Sequence, residues 1–303
     1  MRAAAEHGSF AAAADQLGLT QPAVADHVRR LERALGTRLF QRHARGVRLT
    51  EAGTAFDDHL RIALQSIDRA VATVSDLDAL RAGTLSFGLP ATPEAYGIEL
   101  YVSEFSRRHP GVRLRLLGRN SSAAADRVRE GGLEAALVSL PIDDRDLEID
   151  PIAHDEIVYV SCDPGAVSSP VSIEQVADRP LVVYDAEAGD RDPIRRQLAA
   201  RAQEAGLRLA PRVEAETMVM ALRLVLDGVG DTYLPRTHTR AAGFPGALHL
   251  VGFDPPMTDV LAIVRRAGIA PSPAVARFAD GLRQHLVARL ADDPPAGAQS
   301  RPA

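Results

Sequence analysis

Leu60, Leu64, Ile67, Val71 and Val74 recur at spacings of 4, 3, 4 and 3 on a stretch otherwise carrying Asp57, Asp58, Arg61, Gln65, Asp68 and Arg69. That is the a/d seam of a coiled coil, narrower than the stripe of a helix packed into a domain core. Thr50 supplies a cap, and Glu51 in the first turn suits the helix dipole. Helical from Thr50 to Ala82, the stretch is roughly 50 Å long at about 1.5 Å per residue. The seam therefore predicts a dimerisation linker over 52–82 that pairs with a partner helix. It also separates two regions of different texture. The competing reading is a core helix of one large domain.

Before the seam the texture is helical. Ser9 can cap "FAAAADQL", Gly18 interrupts, and Thr20 can cap a second helix with Pro22 in its tolerant first turn. Val24, Val28, Leu31 and Leu35 recur at i, i+4, i+7 and i+11, opposite Arg29, Arg30 and Arg33. Gly36 stands where a C′ residue ends a helix. Two helices across a short Gly-containing turn read as a helix-turn-helix. In "TRLFQRHARGVRLT", Arg38–Phe40 and Val47–Leu49 flank Ala44-Arg45-Gly46, a hairpin signal that adds a wing. A winged helix-turn-helix over 1–51 is expected.

Charge supports a polyanion at this end. Eight arginines against five acidic residues give 1–51 a net +3, although the whole chain is −5. The chain contains no Lys, so arginine content alone carries no functional weight. The partner expected is double-stranded DNA. Thr20, Gln21, Pro22 and Ala23 occupy the helix end that meets base edges in a major groove. Gln21 suits adenine, and Pro22 or Ala23 suits a thymine methyl. His27, Arg29 and Arg30 suit phosphates, and Arg45 at the wing tip suits a narrow minor groove. Asp26 has three readings: it accepts from a cytosine amino group, pairs with Arg29 or Arg30, or weakens binding by facing phosphate. The plainer reading is that Thr20 only caps, Gln21 is solvated, and the arginines form a hydrated face.

From Gly83 strands and helices alternate, which predicts an α/β domain over 83–291 with mostly parallel sheets, in two lobes about a cleft. "DDRDLEID" reads as a solvated acidic loop, and 292–303 as a disordered Pro/Ala tail. Ligand candidates lie at strand ends and helix starts. Thr92 precedes Pro93 at a predicted helix that runs through Phe105. Asn120, Ser121 and Ser122 follow one strand, and Ser139 ends another. Glu216 and Thr217 begin a further helix, where the acid favours either an amino-bearing ligand or the helix terminus. The sequence has no GxSxG, HExxH, P-loop or CxxC, so no enzyme, cofactor or metal site is expected. One cysteine, Cys162, excludes an internal disulfide. The absence of a long apolar run or a signal-like N-terminus leads to the expectation of a cytoplasmic protein that does not enter a membrane.

With "EHGSF", "TQPAV", "RRLE", "RLF" and "RLTEAG" in order between Glu6 and Gly53, then "FSRRHPGVRL" and "VLDGVGDTYLP", the chain resembles a LysR-type transcriptional regulator. The resemblance runs from about residue 5 to 290. It implies a cytoplasmic, dimeric or tetrameric DNA-binding regulator. It also implies a C-terminal domain like periplasmic solute-binding proteins, sensing a small molecule. Three departures stand out. Arg2–Glu6 is barely a turn where the family's opening helix begins earlier, which points to a truncated first helix and a misassigned start codon. Ala25-Asp26 replaces a hydroxyl residue followed by a basic or polar one. Asp231 replaces an apolar residue, and would either shape the pocket or be neutralised by an arginine. The alternative of another class is a solute-binding or enzymatic α/β protein whose N-terminal helices serve only oligomerisation.

Overall fold

The computed structural model describes residues 1–43, 46–74, 83–118, 120–241 and 243–291, with the backbone alone at 61, 62, 65, 66 and 68–74. It forms two compact units, Met1–Ala70 and Val71–Ala303.

The first unit contains α1 (Arg2–His7), α2 (Phe10–Leu17), α3 (Gln21–Leu35), β1 (Phe40–His43), β2 (Gly46–Leu49) and α4 (Glu51–Val74) up to Ala70. The caps fall where the sequence puts them. Ser9 Oγ accepts from the Ala12 amide, and Thr20 Oγ from that of Ala23. Gly18 and Gly36 close α2 and α3 in the left-handed conformation, which costs glycine no Cβ clash. Small residues let the helices approach: Ala4, Ala13 and Ala14 are buried with Val24, Val28, Leu39 and Phe40. The Phe10 and Phe40 rings meet edge-on at 5.4 Å. The apolar stripe of α3 fades at its end, where Leu35 is exposed. The opening helix is short, as its sequence suggests, but it contributes Ala4 to the core.

β1 and β2 pair antiparallel from Phe40↔Leu49 to His43↔Gly46. Thr50 Oγ accepts from the Gly53 amide and donates to the Arg38 carbonyl, tying α4 to the wing. On α4, Leu60 is half-buried while Leu64 and Ile67 are exposed. The side chains of Val71 and Val74, the predicted helix over 75–82, the wing-tip Arg45 and the predicted disordered tail 292–303 lie outside the described residues.

The second unit contains β3 (Gly83–Leu89), α5 (Ile98–Arg108), β4 (Val112–Gly118), α6 (Ser121–Arg129), β5 (Ala135–Leu140), β6 (Leu147–Ser161), α7 (Ile173–Ala177), β7 (Val182–Val183), α8 (Pro193–Glu204), β8 (Val213–Glu214), α9 (Met218–Leu226), β9 (Thr232–Pro235), β10 (His249–Arg266) and α10 (Pro273–Ala291). The main sheet runs β4-β3-β5-β10-β6-β9. Only β3 with β4 and β5 is parallel; β10 is antiparallel to β5 and β6, and β6 to β9. The sheet is therefore mixed rather than mostly parallel, although β7 and β8 form a small parallel pair.

Two long strands account for the difference. β6 begins at Leu147, so "LEID" belongs to a strand and not to the expected loop. Its acids are held by partners invisible to local polarity: Glu148 by Arg265 across the ladder, Asp150 by Arg283 of α10. The predicted helix over Thr92–Phe105 is likewise divided. A 3-10 turn at Pro93–Tyr96 ends at Gly97, φ 65°, and α5 starts afresh.

β6 and β10 each contribute to the cores of both lobes. One lobe packs Phe87, Ile98, Phe105, Leu137, Leu261 and Phe278, with the Phe278 ring 5.1 Å from those of Phe87, Tyr101 and Phe105. The other packs Ile157, Tyr159, Val182, Leu198, Val225 and Tyr233. β5 and the last part of β10 are buried on both faces, which explains their unbroken apolar runs.

Candidate functional site

α3 presents its N-terminal end to solvent. Thr20, Gln21 and Pro22 are exposed, Ala23 is half-buried, and Val24 turns into the core. Burial returns at Val28, so His27, Arg29 and Arg30 fall on the open side. Asp26 accepts from Arg30 Nε at 2.8 Å and lies 3.9 Å from Arg29, which selects the second of its three readings. The pair is exposed and contributes little to stability, but it takes up one of the cations offered to phosphate. A residue the sequence reading missed fixes this surface. Glu32 Oε1 accepts from the Leu39 and Phe40 amides at 2.8 and 3.1 Å, docking the start of the wing on α3. Its (i, i+7) reach across a turn leaves no periodic signal.

Between the lobes of the second unit lies a cleft of about 720 Å³. It brings together Thr92, Asn120, Ser121, Ser139, Glu216 and Thr217, all expected from sequence. Ser122 does not join them. Its hydroxyl donates to the Arg191 carbonyl at 2.6 Å, and it borders a separate cavity of about 240 Å³, because the turn into α6 points successive side chains apart. Several groups already have local duties. Asn120 Oδ1 accepts from the Ser122 amide and Thr217 Oγ from that of Met220, capping α6 and α9. Glu216 Oε2 accepts from the Glu187 amide. Thr92 makes no cap hydrogen bond; its hydroxyl lies 2.7 Å from His238 Nε2. Burial lowers the His238 pKa to about 4, so the ring is neutral at pH 7.

The floor lies where β6 and β10 cross between lobes. There Asp155 and Asp259 are direct partners across the antiparallel ladder, both almost fully buried. The Thr237 amide and the Tyr96 hydroxyl donate to Asp155. Asp259 receives Ser139 Oγ on one oxygen, at 2.9 Å, and the other has no hydrogen-bond partner among the described residues. Burial pushes the Asp259 carboxyl up to about 7; the Ser139 hydrogen bond opposes the rise and repulsion from Asp155 adds to it. Beside it Asp185 and Asp192 both rise, chiefly through burial. Asp192 caps α8, and Asp185 adopts a left-handed backbone, φ 57°. Sequence reading passed over Asp185, Asp192, His238 and Asp259. Asp185 follows the C-terminal end of β7 and was within reach of the rule applied to Ser139, and Asp192 caps α8 and was within reach of the helix-start rule applied to Thr217.

Asp231 is buried outside this cleft. Arg179 Nε and the Tyr159 hydroxyl both bind its Oδ2, the latter at 2.7 Å, so of its two predicted roles the neutralised one holds. Among the described residues no three His, Cys, Asp or Glu side chains could share a metal ion, and no helix is long and apolar enough to cross a membrane.

The family model of the LysR substrate binding domain matches residues 78–287, and that of the bacterial regulatory helix-turn-helix protein, lysR family, matches 1–54. The HTH-type transcriptional regulator ShiR of Corynebacterium glutamicum is 30% identical over 252 residues, 82% of this chain and 84% of the relative. IlvR of Caulobacter vibrioides is 28% identical over 276 residues, covering 89% and 91%. Among solved structures, a full-length OxyR from Pseudomonas aeruginosa superposes with TM-score 0.68 at 22% identity, over 94% and 91% of the two chains. Full-length CbnR in complex with its target DNA gives 0.64 at 20% identity, over 93% and 96%.

Proposed function

The chain belongs to the LysR family of bacterial transcriptional regulators, and on that premise we propose which residues read DNA, which receive the effector, and how the two activities are linked. As in the family, an N-terminal helix-turn-helix binds DNA and a C-terminal domain binds a small-molecule effector. The DNA-binding domain is assigned to 1–51, the dimerisation linker to 52–82 and the effector domain to 83–291. Gln21, with Thr20, Pro22 and Ala23 around it, contacts base edges; His27, Arg29 and Arg30 contact phosphates; Arg45 enters the minor groove. Leu60, Leu64, Ile67, Val71 and Val74 form the seam with a second copy. The protein works in the cytoplasm as a dimer or tetramer and catalyses no reaction.

The observation that carries the reading is the exposed, capped N-terminal end of α3, with Val24 and Val28 buried behind it and His27, Arg29 and Arg30 exposed on the open side, the two arginines beside Asp26. The cleft supports the sensory half. Among the described residues the polar contacts that span it are scattered ones, including Thr92 to His238, Asn120 to Asp185, Ser122 to the Arg191 carbonyl, Arg191 to Asp126, Gln197 Nε2 to the Leu140 carbonyl and Arg196 to the Pro141 carbonyl. A ligand bridging the lobes shifts the population toward a closed form and alters how dimers present their α3 helices.

Fluorescence anisotropy with the intergenic DNA beside its own gene tests the DNA assignment. The full chain should bind that DNA. Gln21→Ala should lose roughly 1–3 kcal/mol of preference at one base pair. Arg30→Ala should weaken all sequences alike and lower the salt slope by about 1. No binding at low salt, or an unchanged base preference in Gln21→Ala, overturns it. The sensory assignment has its own test. Ser121→Trp fills the cleft, and a reporter that still responds normally to its inducing condition removes the cleft from sensing.

A further inference from the structure

We propose that the interlobe cleft is built for a small organic cation, an amine or guanidinium compound, whose charged group seats against Asp259 and Asp185; this rests on the cleft being the effector site. Six carboxylates line the cleft: Glu94, Asp185, Glu187, Asp192, Glu216 and Asp259. One arginine, Arg191, lines it too, and its guanidinium is occupied by Asp126. His238, the remaining basic side chain of the lining, is kept neutral by burial.

The carboxylates are graded by depth. Glu94, Glu187 and Glu216 are exposed, Asp185 is half-buried, and Asp192 and Asp259 are buried. Such an arrangement concentrates cations at an opening and binds them where water is scarce. An acidic cluster alone would not identify a ligand; two independent observations do so here. Asp259 is 1% exposed, lines the cleft, and has one oxygen without a hydrogen-bond partner among the described residues. Tyr184, 5% exposed on the same lining, has a buried hydroxyl that also lacks a partner among the described residues. A buried acceptor beside a second in-register carboxylate, Asp155, is costly unless a donor arrives, and a cation supplies both donor and charge.

Alternative occupants fit worse. An anion would enter against six carboxylates, and the starts of α6, α8 and α9 already spend amides on Asn120, Asp192 and Thr217. A bare metal ion lacks three clustered ligands among the described residues. The volume suits a small organic molecule. The rings of Tyr96 and Tyr184, with Ile194 and Met218, offer apolar and cation–π contact to its body.

Calorimetry on the full chain near pH 8 provides the test, with 1,4-diaminobutane, agmatine and arginine in one set and succinate and benzoate in the other. At least one cation should bind saturably and the carboxylates should not. Asp259→Asn and Asp185→Asn should each weaken that cation by at least about tenfold, while melting cooperatively without ligand. Carboxylate binding that is abolished by Ser121→Trp overturns the cationic class and leaves the effector cleft standing. Cation binding untouched by both Asn substitutions overturns the proposal by locating the site elsewhere. No binding from the cation set overturns it as well. A reporter indifferent to Ser121→Trp instead removes the underlying effector reading, whatever binds.

Discussion

Asp259→Asn should change the stability of the ligand-free protein in a way that depends on pH. In the folded protein burial holds this carboxyl up to about 7, against an ordinary value of 3.8. A raised acid pKa costs nothing below the unfolded value, where both states carry the proton. The penalty grows as pH rises from about 4 and is complete above about 7. Roughly 3 pKa units at about 1.4 kcal/mol each give a full penalty near 4 kcal/mol. Asparagine keeps the acceptor for Ser139 but places an amide where Asp259 has no partner, at a constant cost of about 1–3 kcal/mol. The variant should therefore be less stable than the parent near pH 4 and more stable by roughly 1–3 kcal/mol near pH 8. Urea unfolding followed by tyrosine fluorescence reads the right unit, since all five tyrosines lie in it and the chain has no tryptophan. Titrating groups remote from Asp259 are common to both proteins and cancel in the difference, whereas Asp155 and Asp192 are relieved of its charge in the variant, which acts in the same direction at high pH. A difference that moves by less than about 1 kcal/mol between these pH values refutes the assignment of an uncompensated buried carboxylate.

Other perturbations probe separate links. Arg179→Ala leaves Asp231 buried with Tyr159 as its remaining side-chain partner among the described residues and should cost about 3–5 kcal/mol in the same unfolding assay, with part recovered in the double variant carrying Asp231→Asn. Asp26→Ala frees Arg30, so DNA affinity should rise and the slope of log affinity against log salt should steepen by up to about 1 in anisotropy titrations. Gly53→Ala would place a methyl 2.1 Å from the Leu39 carbonyl oxygen, which is backbone and cannot step aside. It should destabilise the first unit by about 1–3 kcal/mol and weaken DNA binding, while the near-ultraviolet circular dichroism of the tyrosines stays unchanged.

Much of the first unit was legible because its signals are local. Ser9, Thr20 and Thr50 cap helices within three residues, and Gly18 and Gly36 end them. The exposed end of α3 follows from the burial of Val24 and Val28, and periodicity alone announces it. Six of the seven residues expected at the cleft do line it, since strand ends and helix starts are marked by residue type.

What the sequence could not disclose depends on register between distant strands. Polarity made "LEID" a loop because nothing local shows Arg265 and Arg283 waiting opposite its acids. Asp155 and Asp259 look like ordinary solvated acids in their own segments. Only the antiparallel pairing of β6 with β10 sets them side by side, excludes water, and leaves one oxygen unsatisfied. Sequence by itself determined the order of the elements, their caps and the reading end of α3, because each is fixed by interactions within a turn or two. The acid-lined cleft was decided by tertiary structure, because the cost of a charge is set by which groups and how much water surround it, and folding alone chooses those neighbours.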